Sequence, residues 1–291
     1  MSILICPACK TTLYEEDTRF QCAQNHSFDK SRNGYVNLLL SNMKHSKDPG
    51  DNKVMVKARD YFLTQGHYAA ISNLLNSQVN ELLGANESES HIADLGCGNG
   101  YYLKNLKHTL DTNQRNNIHY WGVDIAKDAI HIASKEAKDI HWIVSSIAHL
   151  PFASTTLNSI ISLFSPIHFD EFSRVLNEDG YLFVIYPATH HLYELRNILF
   201  SDIKEINPER ILKDSRQHFN VINQIPLKYS ISLNSNSDIV NLFKMTPYFW
   251  RCTPEKKQHV LELANFELTI DIILWVLKKS SVHDKNFNRS P

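Results

Sequence analysis

Two clusters in the chain bring together residue types that can do chemistry. The first is "CPACKTTLYEEDTRFQCAQNH", in which two residues separate Cys6 from Cys9, three separate Cys22 from His26, and twelve lie between the pairs. Two such knuckles can present three thiolates and one imidazole tetrahedrally, a donor set that suits Zn²⁺ in a closed structural site. With all four places filled by protein, none is left for a reacting water, so the metal is expected to build a shape and the chemistry to come from elsewhere. The second cluster is "ADLGCGNGYY", which holds Gly96, Gly98 and Gly100, three of only nine glycines in 291 residues. Bare backbone permits positive φ and lets a ligand touch the main chain. An ordinary tight turn needs one glycine, and a dinucleotide site reads G-x-G-x-x-G, whereas Tyr101 stands here where the third of those glycines belongs. Asp94, just before the turn, can order the loop amides and meet an ammonium group directly or through water. Asp124, closing "WGVDI", is placed to accept hydrogen bonds from two ribose hydroxyls.

The elements around these clusters must put them at the ends of strands. "HIADLG", "IHYWGVDI" and "IHWIVS" are short apolar runs ending in turn or polar residues, separated by helical stretches near 101–110 and 127–138. "NSIISLF" and "GYLFVIYP" follow, flanking a further helix at 169–177, and the late runs Val221 to Ile231 and Leu268 to Leu277 supply closing antiparallel strands around a helix at "SDIVNLFKM". Alternation of this kind predicts a parallel sheet with helices on both faces, whose ligands sit beyond the carboxyl ends of the central strands. Upstream, residues from about 50 to 83 read as helical, with Val54, Ala58, Tyr61, Phe62, Ile71, Leu74, Leu75, Val79, Leu82 and Leu83 at apolar positions. The expected organisation is a zinc-binding module at 1–45, a helical linker at 46–85 that contributes to the ligand site, and an α/β domain at 86–291.

Apolar residues make up 43% of the chain, enough for a sizeable core. No apolar run approaches the roughly 18 residues of a membrane span, and "MSILICPACK" lacks a charged region followed by a long apolar one, so no membrane association and a cytoplasmic location are expected. Five cysteines, three at ligand spacing, fit a reduced compartment better than a disulfide framework; Cys97 is read as a small residue required by the turn and Cys252 as packing. The net charge is −1, yet between Lys30 and Arg59 seven basic residues stand against two acidic ones. That stripe, containing Lys44, Lys47 and Lys53, is either a solvated face or a phosphate-contacting surface beside the metal module.

"ADLGCGNG", with "GVDI" 30 residues after its aspartate, resembles the S-adenosylmethionine site of Rossmann-like methyltransferases, and "SSIAHLPF" resembles their adenine-side motif. In that motif Ser146 stands where those enzymes often carry an acidic residue, and the resemblance implies an adenine contact through Ser146 and the Ile147 amide. The zinc spacing, "FDKSRNGYVNLL", "SKDPGD", "FLTQGHY", "HHLYEL" and "MTPYFWR" together resemble the bacterial 23S rRNA (guanine-N1)-methyltransferases of the RlmA family. The resemblance implies a Rossmann-like S-adenosylmethionine-dependent methyltransferase fold with a small N-terminal zinc module, S-adenosylmethionine and one structural Zn²⁺ as cofactors, 23S rRNA as partner, and a homodimer as an allowed assembly. It implies zinc ligands at Cys6, Cys9, Cys22 and His26, and donor contacts at Tyr68, Gly98, Asn99 and His191. The residues themselves add Asp94, Gly96 and Asp124.

Several residues have two readings in the sequence. Tyr68 could be a packed aromatic and His191 a helix-cap histidine, while Tyr248, Phe249 and Trp250 either stack on an unpaired base or belong to a core. Asp48 and Asp51, candidates to face a guanine N1–H, serve equally well as turn formers around Pro49 and Gly50. No catalytic base is assigned. "SLFSPIHFDEF" lacks an Asn-Pro-Pro-Tyr motif, which disfavours methylation of an exocyclic adenine amine. A small-molecule methyltransferase with a structural zinc module, and a non-catalytic RNA-binding zinc protein, are the competing functions.

Overall fold

The computed structural model describes residues 2–44, 50–83, 89–203 and 205–280. Its centre is an eight-stranded mixed sheet made of β4 (Val36–Asn37), β5 (Ser90–Leu95), β6 (Ile118–Asp124), β7 (His141–Val144), β8 (Leu157–Leu163), β9 (Leu176–Pro187), β10 (Phe219–Leu233) and β11 (Phe266–Lys279), in the spatial order β10-β11-β9-β8-β5-β6-β7-β4. From β4 to β9 every pairing is parallel, and β11 and β10 close the sheet antiparallel. The expected strands and the closing pair are all present. Strand order reverses between β5 and β8, which makes a crevice beyond the carboxyl ends of those two strands.

Helices α3 (Tyr101–Thr112), α4 (Lys127–Glu136), α5 (Phe169–Val175), α6 (Tyr193–Leu199), α7 (Glu209–Ser215), α8 (Asn236–Met245) and α9 (Pro254–Leu261) connect these strands. Two large apolar clusters hold the layers together. One joins α3, α4 and α8 to residues such as Ile92, Ile161 and Phe183, and the other joins Leu95, Val123, Ile160 and Val184 to Phe152 and Phe172.

The stretch read as helical from about 50 to 83 is two helices, α1 (Lys53–Thr64) and α2 (Ala69–Leu82), broken where Gly66 takes φ 83°. Asn52 caps α1 by accepting hydrogen bonds from Val54 and Met55. The buried face of α1 is Val56, Ala58, Phe62 and Leu63, whereas Val54 and Tyr61 face outward. Ala58 and Phe62, four residues apart, fix that face, and Tyr61 is rotated away from it.

At the N-terminus, β1 (Leu13–Glu15), β2 (Arg19–Cys22) and β3 (Ser27–Asp29) form a small antiparallel ribbon. It docks through main chain as well as side chains. Ile5 donates to the Pro151 carbonyl at 2.9 Å, Ala153 donates to that of Ile3 at 2.8 Å, and β4 runs parallel to β7 with Val36 opposite Ile143. Leu4, Leu13, Phe20 and Cys22 belong to the same buried cluster as Trp121, Ile143 and Phe152. The ribbon therefore shares a core with one face of the sheet. Among the described residues, no helix is long and apolar enough to cross a membrane.

Candidate active site and metal centre

The metal centre is built from two turns of the same design. Lys10 donates to the Cys6 carbonyl at 2.8 Å and Asn25 to that of Cys22 at 2.9 Å, and both turn residues adopt φ 63°. Each turn folds the chain back so that its two ligands point the same way. The Sγ atoms of Cys9 and Cys22 lie 3.6 Å apart, Cys22 Sγ lies 3.4 Å from His26 Nδ1, and the four ligand atoms of Cys6, Cys9, Cys22 and His26 all fall within 4.8 Å of one another. Thiolates about 2.3 Å from a tetrahedral zinc sit roughly 3.8 Å apart, so the set fits Zn²⁺. Four protein ligands leave it without an open position.

The residues expected to hold the methyl donor gather at the crevice. A cavity of about 680 Å³ opens over the carboxyl ends of β5, β6 and β8, and is lined by Tyr68, Asp94, Gly96, Gly98, Asn99, Asp124, Ser146 and His191. All eight residues expected at the donor site are thus brought together. Gly96 (φ 84°) is needed for space as well as conformation, since a Cβ there would lie 2.5 Å from that of Ser165. Gly100 (φ 76°) starts α3, and a Cβ on it would come within 2.3 Å of Trp142 Cη2. Of the three glycines in the turn, that one serves helix packing and does not line the cavity.

Two carboxylates give the cavity its electrostatics. Asp94 is 1% exposed, and its Oδ2 is buried without a hydrogen-bond partner. Burial, with the nearby Asp124 charge second, holds its carboxyl well above the ordinary range. An orphaned buried acceptor of this kind fits a cationic ligand such as an α-ammonium group. Asp124 uses Oδ2 to accept from the Gly98 amide at 2.8 Å and Oδ1 to accept from the Ala126 amide at 2.7 Å. Burial raises its carboxyl too, opposed by those two N–H groups. Each of its oxygens keeps a lone pair for a diol.

Asn99 is held from both sides. Its Nδ2 donates to Asp60 Oδ1 at 2.7 Å, and its Oδ1 accepts from the Tyr101 amide at 3.4 Å, so α1 is latched onto the glycine turn. Tyr68 is buried, edge-on to Phe62, and burial raises its hydroxyl far above the usual value, so it stays protonated. His191 is no helix cap. It lies before α6, and its Nδ1 accepts from the Asp271 amide at 3.4 Å, which leaves Nε2 to carry the proton of the neutral ring. Burial pushes its pKa down to about 4, so the ring is uncharged near neutrality. Ser146 Oγ accepts from the Ala148 amide at 3.3 Å and so shapes the loop that lines the cavity.

Sequence reasoning missed several lining residues. Arg59 forms an ion pair with Asp51 and donates to the Met245 carbonyl at 3.2 Å, spanning from α1 to the end of α8. Phe164 adopts φ 54° and stacks on His191 with ring centroids 5.7 Å apart. Of the aromatic trio, Tyr248 lines the cavity, Phe249 packs on Phe243, and Trp250 is exposed. Asp51 lines the cavity in its ion pair with Arg59, whereas Asp48 and Lys47 lie outside the described residues.

The family described as "Methyltransferase domain" matches residues 86–268. The chain belongs to that family. Residues 4–47 match a second description, "RlmA, N-terminal", a zinc ribbon. With the four ligands gathered and the donor residues around one cavity, this is an S-adenosylmethionine-dependent methyltransferase carrying a zinc ribbon of the RlmA type. The chain is 28% identical over 283 residues to "Putative 23S rRNA (guanine-N(1)-)-methyltransferase YxjB" of Bacillus subtilis (strain 168), covering 93% of this chain and 95% of that protein. It is 26% identical over 279 residues to "23S rRNA (guanine(748)-N(1))-methyltransferase" of Streptomyces fradiae, covering 94% and 96%. Among solved structures, a geranyl diphosphate methyltransferase in complex with S-adenosylmethionine overlaps 80% of this methyltransferase and 93% of that chain, with 12% identity and a TM-score of 0.46.

Proposed function

We propose that this methyltransferase moves the methyl group of S-adenosylmethionine to N1 of one guanine in a hairpin loop of 23S rRNA. The observation that supports the reading is the joining of an RlmA-type zinc ribbon to a cavity that gathers the eight candidate donor residues, with relatives named as 23S rRNA guanine-N1 methyltransferases matching nearly the full length.

Each donor residue has a task set by its surroundings. Asp94 offers an unpartnered oxygen to the ammonium group, and Asp124 offers the remaining lone pairs of both oxygens to the ribose. The glycine turn lets the ligand approach the main chain, while Tyr68, Phe164 and His191 form an aromatic wall that excludes water. The sulfonium donor supplies an activated methyl group, so the protein's part is to hold the acceptor in line and to remove its proton. Zinc shapes the ribbon that meets the RNA. A hairpin loop suits the task because its unpaired bases expose the edges that a duplex hides.

Incubation with tritiated S-adenosylmethionine and rRNA lacking the modification is expected to label 23S rRNA and to leave small-molecule acceptors unlabelled. Label in small molecules alone would assign the cavity to another acceptor, and binding of rRNA without transfer would reject the enzyme.

A further inference from the structure

The donor cavity is not the only hollow on this side of the sheet. A second, of about 970 Å³, adjoins it, and the two share a wall made by Phe164, Ser165, Pro166, His168, Tyr186 and Pro247. Most of that wall follows β8, which lies beside β5 across the reversal in strand order. The donor turn follows β5 and the ribose carboxylate ends β6, so the segment after β8 is the opposite lip of the crevice.

The lip is firmly built. Phe164 has left-handed backbone, which for a bulky residue costs about 1–3 kcal/mol and persists only where the surroundings enforce it. Its amide donates to the Ile185 carbonyl at 3.1 Å. Ser165 Oγ donates to the Leu95 carbonyl at 2.9 Å and lies 2.8 Å from Ser162 Oγ, anchoring the lip to the strand that carries the donor turn. The result is a Phe164 ring stacked on His191 yet still 38% exposed.

A base methylated at N1 has to meet the methyl group at the wall common to both cavities, and its proton has to leave to a group there. The carboxylates nearby are committed or distant. Asp94 is enclosed beneath the donor turn, Asp124 is bonded to two amides, and Asp51 is paired with Arg59. In the second cavity Asp170 is paired with His218 at 2.7 Å, and Asp214 does not belong to the common wall. His168 does belong to it. It is exposed, and its side chain makes no capping hydrogen bond for α5, and imidazole is the side chain suited to take a proton near neutrality.

We infer that the second cavity receives the target guanine against Phe164 and Tyr186, and that His168 accepts the proton from N1. The inference rests on the guanine-N1 reading. N1 loses its proton to the free imidazole nitrogen, and its electron pair forms the bond to the methyl carbon. The carbon–sulfur bond breaks with its pair kept by sulfur, leaving a neutral thioether, and the imidazolium returns its proton to water. The positive charge lost by sulfur is thus carried by His168 and then by solvent.

The test uses the full chain and 23S rRNA lacking the modification. In single-turnover reactions H168Q is expected to lose about 100-fold or more of the methyl-transfer rate, the low end of general-base contributions, with donor and rRNA affinities within about threefold of the unsubstituted protein. Independently of turnover, diethyl pyrocarbonate should modify His168 in the free protein, and rRNA without donor should protect it, read by mass spectrometry. A single-turnover rate retained within about threefold, a loss confined to rRNA affinity, or modification unaffected by rRNA would overturn the inference while leaving the guanine-N1 reading intact. Failure of the unsubstituted protein to mark a guanine N1 would remove both.

Discussion

Asp124 and Gly98 are joined by a 2.8 Å hydrogen bond from the glycine amide to Oδ2, so the residue proposed to hold the ribose also holds the glycine turn. Asp124→Ala should therefore weaken S-adenosylmethionine binding by about 1.5–3 kcal/mol, and by leaving the Gly98 and Ala126 amides unpaired it should also lower stability by about 1–3 kcal/mol. Asp124→Asn keeps one acceptor oxygen and should retain more stability than affinity. Calorimetric titration beside urea unfolding checks the split; equal stability losses in both variants would contradict it.

Asp94 predicts a proton released on binding. Its carboxyl stands above the usual value of about 3.9 because it is buried, with Asp124 adding to the effect. The native protein therefore keeps a proton that the unfolded chain gives up, and stability contributed by this group falls as pH rises from about 4 through the raised value. A cation bound at Oδ2 favours the ionised form, so donor affinity should rise with pH over that window. Titrations in two buffers of different ionisation enthalpy should detect the proton, and Asp94→Asn should bind the donor weakly, release no proton and lose the pH-dependent destabilisation.

Much of this site was legible because its parts are local. The knuckle spacing is itself the geometry of the metal centre, and a strand with Asp94 one residue from its end and another ending in Asp124 announce their own carboxyl ends. Tyr68 and His191 came from the resemblance to the RlmA family, since nothing in "GHY" or "HHLYEL" says that a chain reversal at Gly66 and β11 beneath the α6 turn bring those rings together. In the sequence Arg59 is one member of a basic stripe, and only packing of α1 near α8 shows it paired with Asp51 and bonded to Met245. The segment after β8 stands out in the sequence only for the motif it lacks, and the left-handed turn at Phe164 has no glycine to signal it.

Zinc should act on donor binding at a distance. Ile5 is hydrogen-bonded to Pro151, in the loop whose Ser146 and Ile147 line the donor cavity, so a loosened ribbon releases one anchor of that loop. About one zinc per chain is expected, and Cys9→Ser should expose the ribbon to proteolysis and weaken donor binding, because metal binding and folding of such modules are coupled. A metal-free protein with an intact ribbon and unchanged donor affinity would contradict this.

The basic stripe divides in the structure. Lys30 is paired with Glu15 and Arg59 with Asp51, whereas Lys44 and Lys53 are exposed. Replacing Lys44 and Lys53 by Gln should weaken rRNA binding and flatten its logarithmic salt dependence by about 1.4–1.8 if both meet phosphates, with donor affinity unchanged. An unaltered slope would return both lysines to a solvated face.

The destination of the methyl group distinguishes guanine N1 from every other acceptor atom considered. N1 lies on the Watson–Crick edge of guanine, so its methylation blocks pairing, whereas a methyl at N7 or on the ribose leaves that edge free. Primer extension on 23S rRNA from cells carrying the protein is predicted to stop one nucleotide before a single guanine in a hairpin loop, and to read through on rRNA from a deletion strain. Read-through in both strains, with labelled methyl nonetheless transferred to 23S rRNA, would contradict the N1 assignment and the role given to His168.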